Sequence, residues 1–214
     1  MLEKMKDFFE ARLDDYEDHM LTCIASAPEF YAFTAACLPP NARLLDLGCG
    51  TGLELNDYFA RNPDASVTGI DLSEKMLKKL KEKFPTKALD LIVGSYFDLP
   101  FGNEIFDAAV SVESLHHFTK EEKIPLYQKL RHALKPHGYF ILTDYFAYSD
   151  EDEKRLRQNL LDLKKSEGIK DGEFYHYDTP LTVEHELEAL LSAGFPSVQI
   201  LNRWENTYTL KALV

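Results

Sequence analysis

The chain is poor in cysteine and has no cysteine pairs. Its 214 residues hold three, Cys23, Cys37 and Cys49, with no CxxC spacing. That excludes a disulfide framework or a cysteine zinc site and fits a reducing cytoplasm. Apolar runs long enough to span a bilayer are missing too. The N-terminal stretch is charged and amphipathic, so it does not read as a secretory leader. Basic excess is lacking: the formal net charge is −12. A field of that sign repels phosphate backbones and argues against nucleic acid as a partner. The densest basic run, Lys75 to Lys83, reads as the solvated face of a helix. Seven histidines occur, none at metal-ligand spacing, so no metal site is expected. Repeats and low-complexity linkers are absent, and no segment signals an oligomeric state.

What is present is a regular alternation. Residues 2–20 place Met5, Phe8, Phe9, Leu13 and Tyr16 at helical spacing, predicting one amphipathic helix. A second helix is expected over 28–37, from Pro28 to the Pro39-Pro40 stop. Strands are predicted at 43–47, 66–70, 89–93, 106–112 and 139–143. Helices are predicted between them at 53–61, 73–84 and 119–134, the last opened by a Thr119/Glu122 capping pattern. Helices near 151–167 and 182–193 follow, then strands 197–204 and 207–214. The short connection between these last strands permits only an antiparallel pair. The alternation implies an α/β fold with a doubly wound, mostly parallel sheet. One domain is expected: a helical cap (1–40), a ligand-binding core (41–145), and acceptor-side helices with a terminal hairpin (146–214).

The chemistry concentrates where strands end. Leu44 to Gly52 reads LLDLGCGTG, a strand running into a glycine turn before a helix. Glycines let backbone approach a ligand, and a helix N-terminus offers free N–H groups. The spacing is G-x-G-x-G, not the G-x-G-x-x-G of dinucleotide sites. Asp46 precedes the turn, where an acidic group suits a cationic amine better than a pyrophosphate. Asp71 ends the second strand beside the turn, placed to accept from ribose hydroxyls. Gly94 to Phe101 and Phe106 to Phe118 follow the third strand and include the fourth.

These four pieces, in this order and spacing, resemble the class I S-adenosylmethionine-dependent methyltransferases. The resemblance implies a Rossmann-like sheet of seven strands with the last antiparallel, and S-adenosylmethionine as cofactor. It implies that Asp46 faces the methionine amine and that Gly48, Cys49, Gly50 and Gly52 underlie the methionine and ribose. Asp71 would hold the ribose, and Leu72 would pack on adenine. Ser95, where many relatives carry Asp, and the Tyr96 amide would border the adenine edge, with Ser111 and Val112 lining the cofactor. Tyr16, on a helix that closes over the cofactor in relatives, would meet the methionine carboxylate. The C-terminal strands are similar to a branch that includes carboxy-S-adenosylmethionine synthase, with no residues carried across.

The expected activity is methyl transfer to a small-molecule acceptor. Modification of the cofactor itself, a non-catalytic cofactor-binding module and RNA methylation are the alternatives. His116 and Asp144, at the ligand edge, are the polar groups expected nearest the methyl. His116 is the expected base because a free imidazole titrates near neutrality. Arg12, Tyr16 and His19 can share a helix face. Late aromatics (Tyr145, Phe146, Tyr148, Phe174, Tyr175, His176, Tyr177, Trp204) are candidates for pocket walls. The acceptor would enter between the cap and residues 145–180.

Overall fold

The computed structural model describes residues 1–169 and 172–214; residues 170 and 171, within the expected acceptor-side stretch, lie outside the described residues. Seven strands form one sheet: β1 (Arg43–Leu47), β2 (Ser66–Asp71), β3 (Ala88–Val93), β4 (Phe106–Val112), β5 (Leu134–Tyr145), β6 (Ser197–Trp204) and β7 (Thr207–Leu213). Their order is β3-β2-β1-β4-β5-β7-β6. The first five strands run parallel; β7 pairs antiparallel with β5 and β6. The expected architecture is present, with strand ends moved by a few residues. The largest change is β5, which starts at Leu134 because that residue already pairs with Phe106 ahead of a register shift.

Period-two alternation assigns the core. Leu44, Ala108, Val110 and Ile141 enter the apolar cluster on one face; Leu45, Ala109, Phe140 and Leu142 enter the cluster on the other. Strands buried on both faces read as continuous apolar runs, which is why LLDL and DAAV were legible as central strands. On the first face pack α3 (Ala27–Cys37), α4 (Leu53–Arg61) and α5 (Glu74–Lys83); α6 (Lys120–Ala133) and α8 (Val183–Ser192) cover the second. The Thr119/Glu122 capping box forms as read, each side chain bonding the other's backbone amide. The remaining long helix, α7 (Asp150–Ser166), buries no residue, as its charge pattern implies. Among the described residues no helix is long and apolar enough to cross a membrane.

The N-terminal reading needs correction. Residues 2–20 do not form one helix but two, α1 (Met5–Ala11) and α2 (Tyr16–Cys23). Tight i→i−3 bonds replace the helical ladder at the break, from Arg12 N–H to Phe9 O and from Asp15 N–H to Arg12 O, both 3.2 Å. Lys79 of α5 donates to the Leu13 carbonyl at 2.8 Å, supplying a partner outside the helix. Adjacent Asp14 and Asp15 favour such a break, because their short side chains compete with helical backbone. The bend sets the Phe9 and Tyr16 rings edge to face, 6.0 Å apart. The start of α1 is fastened by chain that arrives much later: Met5 N–H bonds Phe174 O at 2.9 Å, and His176 N–H bonds Glu3 O at 3.0 Å.

Candidate active site

Strand order reverses between β2-β1 and β4-β5, so the connections leaving the carboxyl ends of β1 and β4 go to opposite faces. A crevice opens there, as in other doubly wound sheets. The chain leaving β1 folds over the end of β2, with the Gly48 amide on the Ile70 carbonyl at 2.8 Å. Gly48 and Gly50 have φ of +72° and +48°. A Cβ at Gly48 would lie 2.0 Å from Ser114 Oγ, so no larger residue fits without displacing the loop after β4. At Gly50 the nearest atom would be the Tyr16 hydroxyl at 3.8 Å, so this glycine faces the crevice. The Asp71 carboxylate accepts the Gly50 amide at 2.9 Å and the Ser73 amide at 2.8 Å.

The result is a narrow trough of about 60 Å³, with Gly48, Gly50, Asp71, Leu72, Tyr96 and Val112 along it and Met5, Phe9 and Tyr16 from the cap. Tyr96 is fixed by its hydroxyl, 3.2 Å from the Ser114 carbonyl, while Lys129 binds the carbonyls of Tyr96, Phe97 and Leu99. Other expected cofactor residues turn their side chains, or the place of one, away from the trough. The Cys49 side chain points under β2, where a Cβ on Gly69 would come within 2.8 Å of its Sγ. Gly52 faces Leu55 and Leu80, not the trough. Ser111, fully buried, donates to the Leu47 carbonyl at 2.9 Å and ties β4 to β1. Ser95 Oγ accepts the Phe97 amide and does not line the trough.

The trough is acidic. Asp46 is buried behind the turn within hydrogen-bond reach of Glu54; burial and then the Glu54 charge hold its carboxyl well above the usual range. Burial raises Glu54 as well. Tyr16 sits among Glu54, Asp71 and Glu113, and burial followed by their charges pushes its hydroxyl upward. Asp46 Oδ2, Glu54 Oε1 and Glu113 Oε1 are buried without hydrogen-bond partners. Carboxyls gathered this way suit a ligand that brings positive charge.

Beside the trough lies a larger cavity of about 480 Å³. It lies between the cap (Phe8, Arg12, Tyr16, His19) and Tyr145, His176 and Asp178, the opening expected from sequence. Phe9, Tyr16, Glu113 and His117 line both spaces. Arg12 reaches the cavity wall but spends its guanidinium on Glu3, at 3.0 and 3.1 Å, and on the Phe8 ring. Of the eight late aromatics only Tyr145 and His176 line this cavity. Phe146 is in the core, Phe174 packs on Phe97 and Phe118, Trp204 packs on Phe30 and Phe33, and Tyr148 is exposed.

His116 is on the cavity wall, but the reason for expecting a base there fails. Its Nδ1 is 2.6 Å from Asp144 Oδ1 and its Nε2 is 3.5 Å from Asp178 Oδ1. Burial opposes charge, yet the two carboxylates outweigh it and push the imidazole up to about 10. His116 is therefore already protonated at neutral pH. Asp144 is withdrawn from the cavity: its oxygens accept from His116 and from the Leu115 and Tyr145 amides. By contrast burial, and then the His116 charge, lower His117. His176 falls to about 4 through burial and the neighbouring His117. Glu113, whose φ is +50°, is pushed up to about 8 by burial and by Asp144 and Asp178, against the pull of His116. Asp178 and Glu54 were not singled out from sequence. Asp178 lies in an irregular segment with no pattern to mark it, and Glu54 reads as an ordinary first-turn helix acid.

Residues 44–138 match the family model described as "Methyltransferase domain". The chain is 28% identical over 188 residues to the carboxy-S-adenosyl-L-methionine synthase of Campylobacter fetus, covering 82% of this chain and 78% of that one. Among solved structures, an S-adenosylmethionine-dependent methyltransferase from Mesorhizobium loti superposes with a TM-score of 0.61 at 20% identity, covering 89% of this chain and 98% of that one. Human N-acetylserotonin methyltransferase, in complex with S-adenosylmethionine, gives 0.63 at 18% identity over 88% of this chain, which spans only 52% of that protein. Sheet order, glycine turn and family match agree: residues 44–138 match a methyltransferase domain, and the chain has the fold of the class I S-adenosylmethionine-dependent methyltransferases.

Proposed function

We propose that the chain transfers the methyl group of S-adenosylmethionine to a small, partly apolar acceptor held in the 480 Å³ cavity. The observation that carries this reading is the shared wall: Phe9, Tyr16, Glu113 and His117 border both trough and cavity, so molecules in the two spaces would meet. The cofactor supplies a methyl already activated on a sulfonium. The protein's work is then to place the acceptor, exclude water and take up a proton.

Gly48 and Gly50 would let backbone approach the ligand, and Asp71 would offer its remaining lone pairs to the ribose hydroxyls. Leu72 and Val112 give apolar contact for the adenine. The unpartnered oxygens of Asp46, Glu54 and Glu113 would answer the cationic amine and sulfonium. In the cavity His116, a cation, would turn its Nε2–H from Asp178, 3.5 Å away, to an acceptor oxygen instead of receiving its proton. Glu113, at about 8, is the better proton acceptor at working pH, since it lies at the boundary where the methyl would pass. The aromatic rings of Phe8, Phe9 and Tyr145 favour an acceptor with apolar area, and the net charge of −12 disfavours a polyanion.

Similarity to carboxy-S-adenosyl-L-methionine synthases over most of the chain favours a second reading, in which the cofactor itself is modified. A small-metabolite screen that identifies the nucleoside product separates the two. Release of S-adenosylhomocysteine is expected; a product that keeps the sulfonium would replace methyl transfer with the second reading, and methylation of RNA alone would refute the small acceptor.

Three further outcomes are expected. Asp71→Ala should weaken S-adenosylhomocysteine binding by about 1.5–3 kcal/mol, the scale of hydrogen bonds to a charged group; calorimetry giving an unchanged Kd would remove Asp71 from the ribose. Because Met5, Phe9 and Tyr16 narrow the trough, amide exchange across residues 5–23 should slow when S-adenosylhomocysteine binds. Protection confined to Gly48–Gly52 would make the cap a packing element only. Finally, kcat/KM of the metal-free protein should rise with pH as Glu113 deprotonates near 8 and fall as His116 loses its proton near 10. Glu113→Gln should abolish the rising limb and lower turnover by about 10²–10⁴-fold; a rising limb that survives in this variant assigns the base elsewhere.

A further inference from the structure

Among the described residues, the cluster His116, His117 and Asp178 has a geometry that hydrogen bonding does not fully explain. Asp178 Oδ1 is buried and makes no hydrogen bond of ordinary geometry. It lies 3.5 Å from His116 Nε2 and 3.3 Å from His117 Nδ1, which also donates to the Tyr177 carbonyl at 3.2 Å. The donor atoms of the three residues all fall within 4.8 Å of one another. Around a tetrahedral ion with bonds of about 2.0–2.1 Å, ligand atoms are separated by roughly 3.3–3.4 Å. The two observed separations bracket that edge length.

The surroundings are built accordingly. Asp144 holds His116 Nδ1 at 2.6 Å and leaves Nε2 turned toward Asp178, the carboxylate–imidazole arrangement that supports metal ligands. Backbone fixes the approach of the third residue: the Thr179 amide bonds His116 O and its hydroxyl bonds His117 O, both at 3.1 Å. His116, His117 and Asp178 all line the 480 Å³ cavity, so coordination positions not filled by protein would face it. Two imidazoles and a carboxylate with open positions suit a divalent transition ion better than magnesium or calcium.

We propose that His116, His117 and Asp178 form a binding site for one divalent transition-metal ion of the zinc type, open toward the cavity. The ion takes the place of the protons that His116 Nε2 and His117 Nδ1 otherwise carry: as the metal–nitrogen bonds form, the first leaves to solvent and the second is transferred to His117 Nε2, releasing the Tyr177 carbonyl. Seated there, the ion would bind an acceptor oxygen and lower its pKa, a role that rests on the acceptor reading above. The site itself does not, and its test needs neither cofactor nor acceptor.

Full-length protein stripped with chelator is titrated with Zn²⁺ by calorimetry and with Co²⁺ by visible absorption. One ion per chain is expected, in the micromolar range or tighter, with the ligand-field bands of a tetrahedral N/O site. His117→Ala and Asp178→Asn should each abolish saturable binding, and Asp144→Asn should weaken it by about 10–100-fold. His185→Ala, at the separate His185–Glu153 pair, should bind as the unaltered protein does. Circular dichroism shows whether each variant keeps its fold, and the two ligand variants are independent of each other. Absence of stoichiometric binding overturns the proposal, as does binding that is unchanged in folded His117→Ala and Asp178→Asn.

Discussion

The Asp71 carboxylate accepts the Gly50 amide at 2.9 Å and the Ser73 amide at 2.8 Å, and so fastens the glycine turn after β1 to the start of α5. The glycine turn that floors the trough takes its position from that junction. Gly50 is held facing Tyr16, and Gly48 is pressed against Ser114 of the loop after β4. Burial raises the Asp71 pKa while the backbone amides lower it. Two anchored lone pairs and an intermediate exposure leave the group able to serve a ligand as well as the fold.

Charge divides the crevice into two environments. On the trough side carboxyls gather: Glu54, Asp71 and Glu113 surround Tyr16, Asp46 lies beside Glu54, and burial raises all four. On the cavity side Asp144 and Asp178 stabilise positive charge at His116. Glu113 belongs to both, raised by the two aspartates and lowered by His116. A cationic ligand in the trough and a polar oxygen in the cavity would each meet the sign of charge that favours them.

The wall between cap and core joins segments distant in the chain. Residues 3–5 pair with residues 174–176, through the Lys4–Tyr175 bridge and the Met5 and His176 amides. Phe8 stacks on His176 with ring centroids 3.5 Å apart. This pairing carries Asp178 to the histidines and closes the far side of the cavity. The first helix and the cavity wall formed by residues 174–178 are therefore held to each other by backbone pairing and by the Phe8–His176 stack.

The sequence by itself determined the layered architecture, since period-two apolar runs, glycine turns and capping residues act over a few positions. LLDL, GCGTG and the Thr119/Glu122 box carry their own geometry; spacing placed Gly48, Gly50 and Asp71 at the trough, and the family resemblance added Leu72, Tyr96 and Val112. Only the tertiary structure decided what the side chains there can do. Ser111 and Cys49 stand within these motifs, yet one ties two strands and the other fills the core. At the split of the first helix, Lys79 of α5 supplies the partner for the Leu13 carbonyl. His116 became a cation, and its neighbours a candidate metal site, because Asp144 and Asp178 arrive 28 and 62 positions later in the chain. Local pattern carries no record of such a meeting, and a pKa is set by the charges and solvent that a folded chain brings to the group.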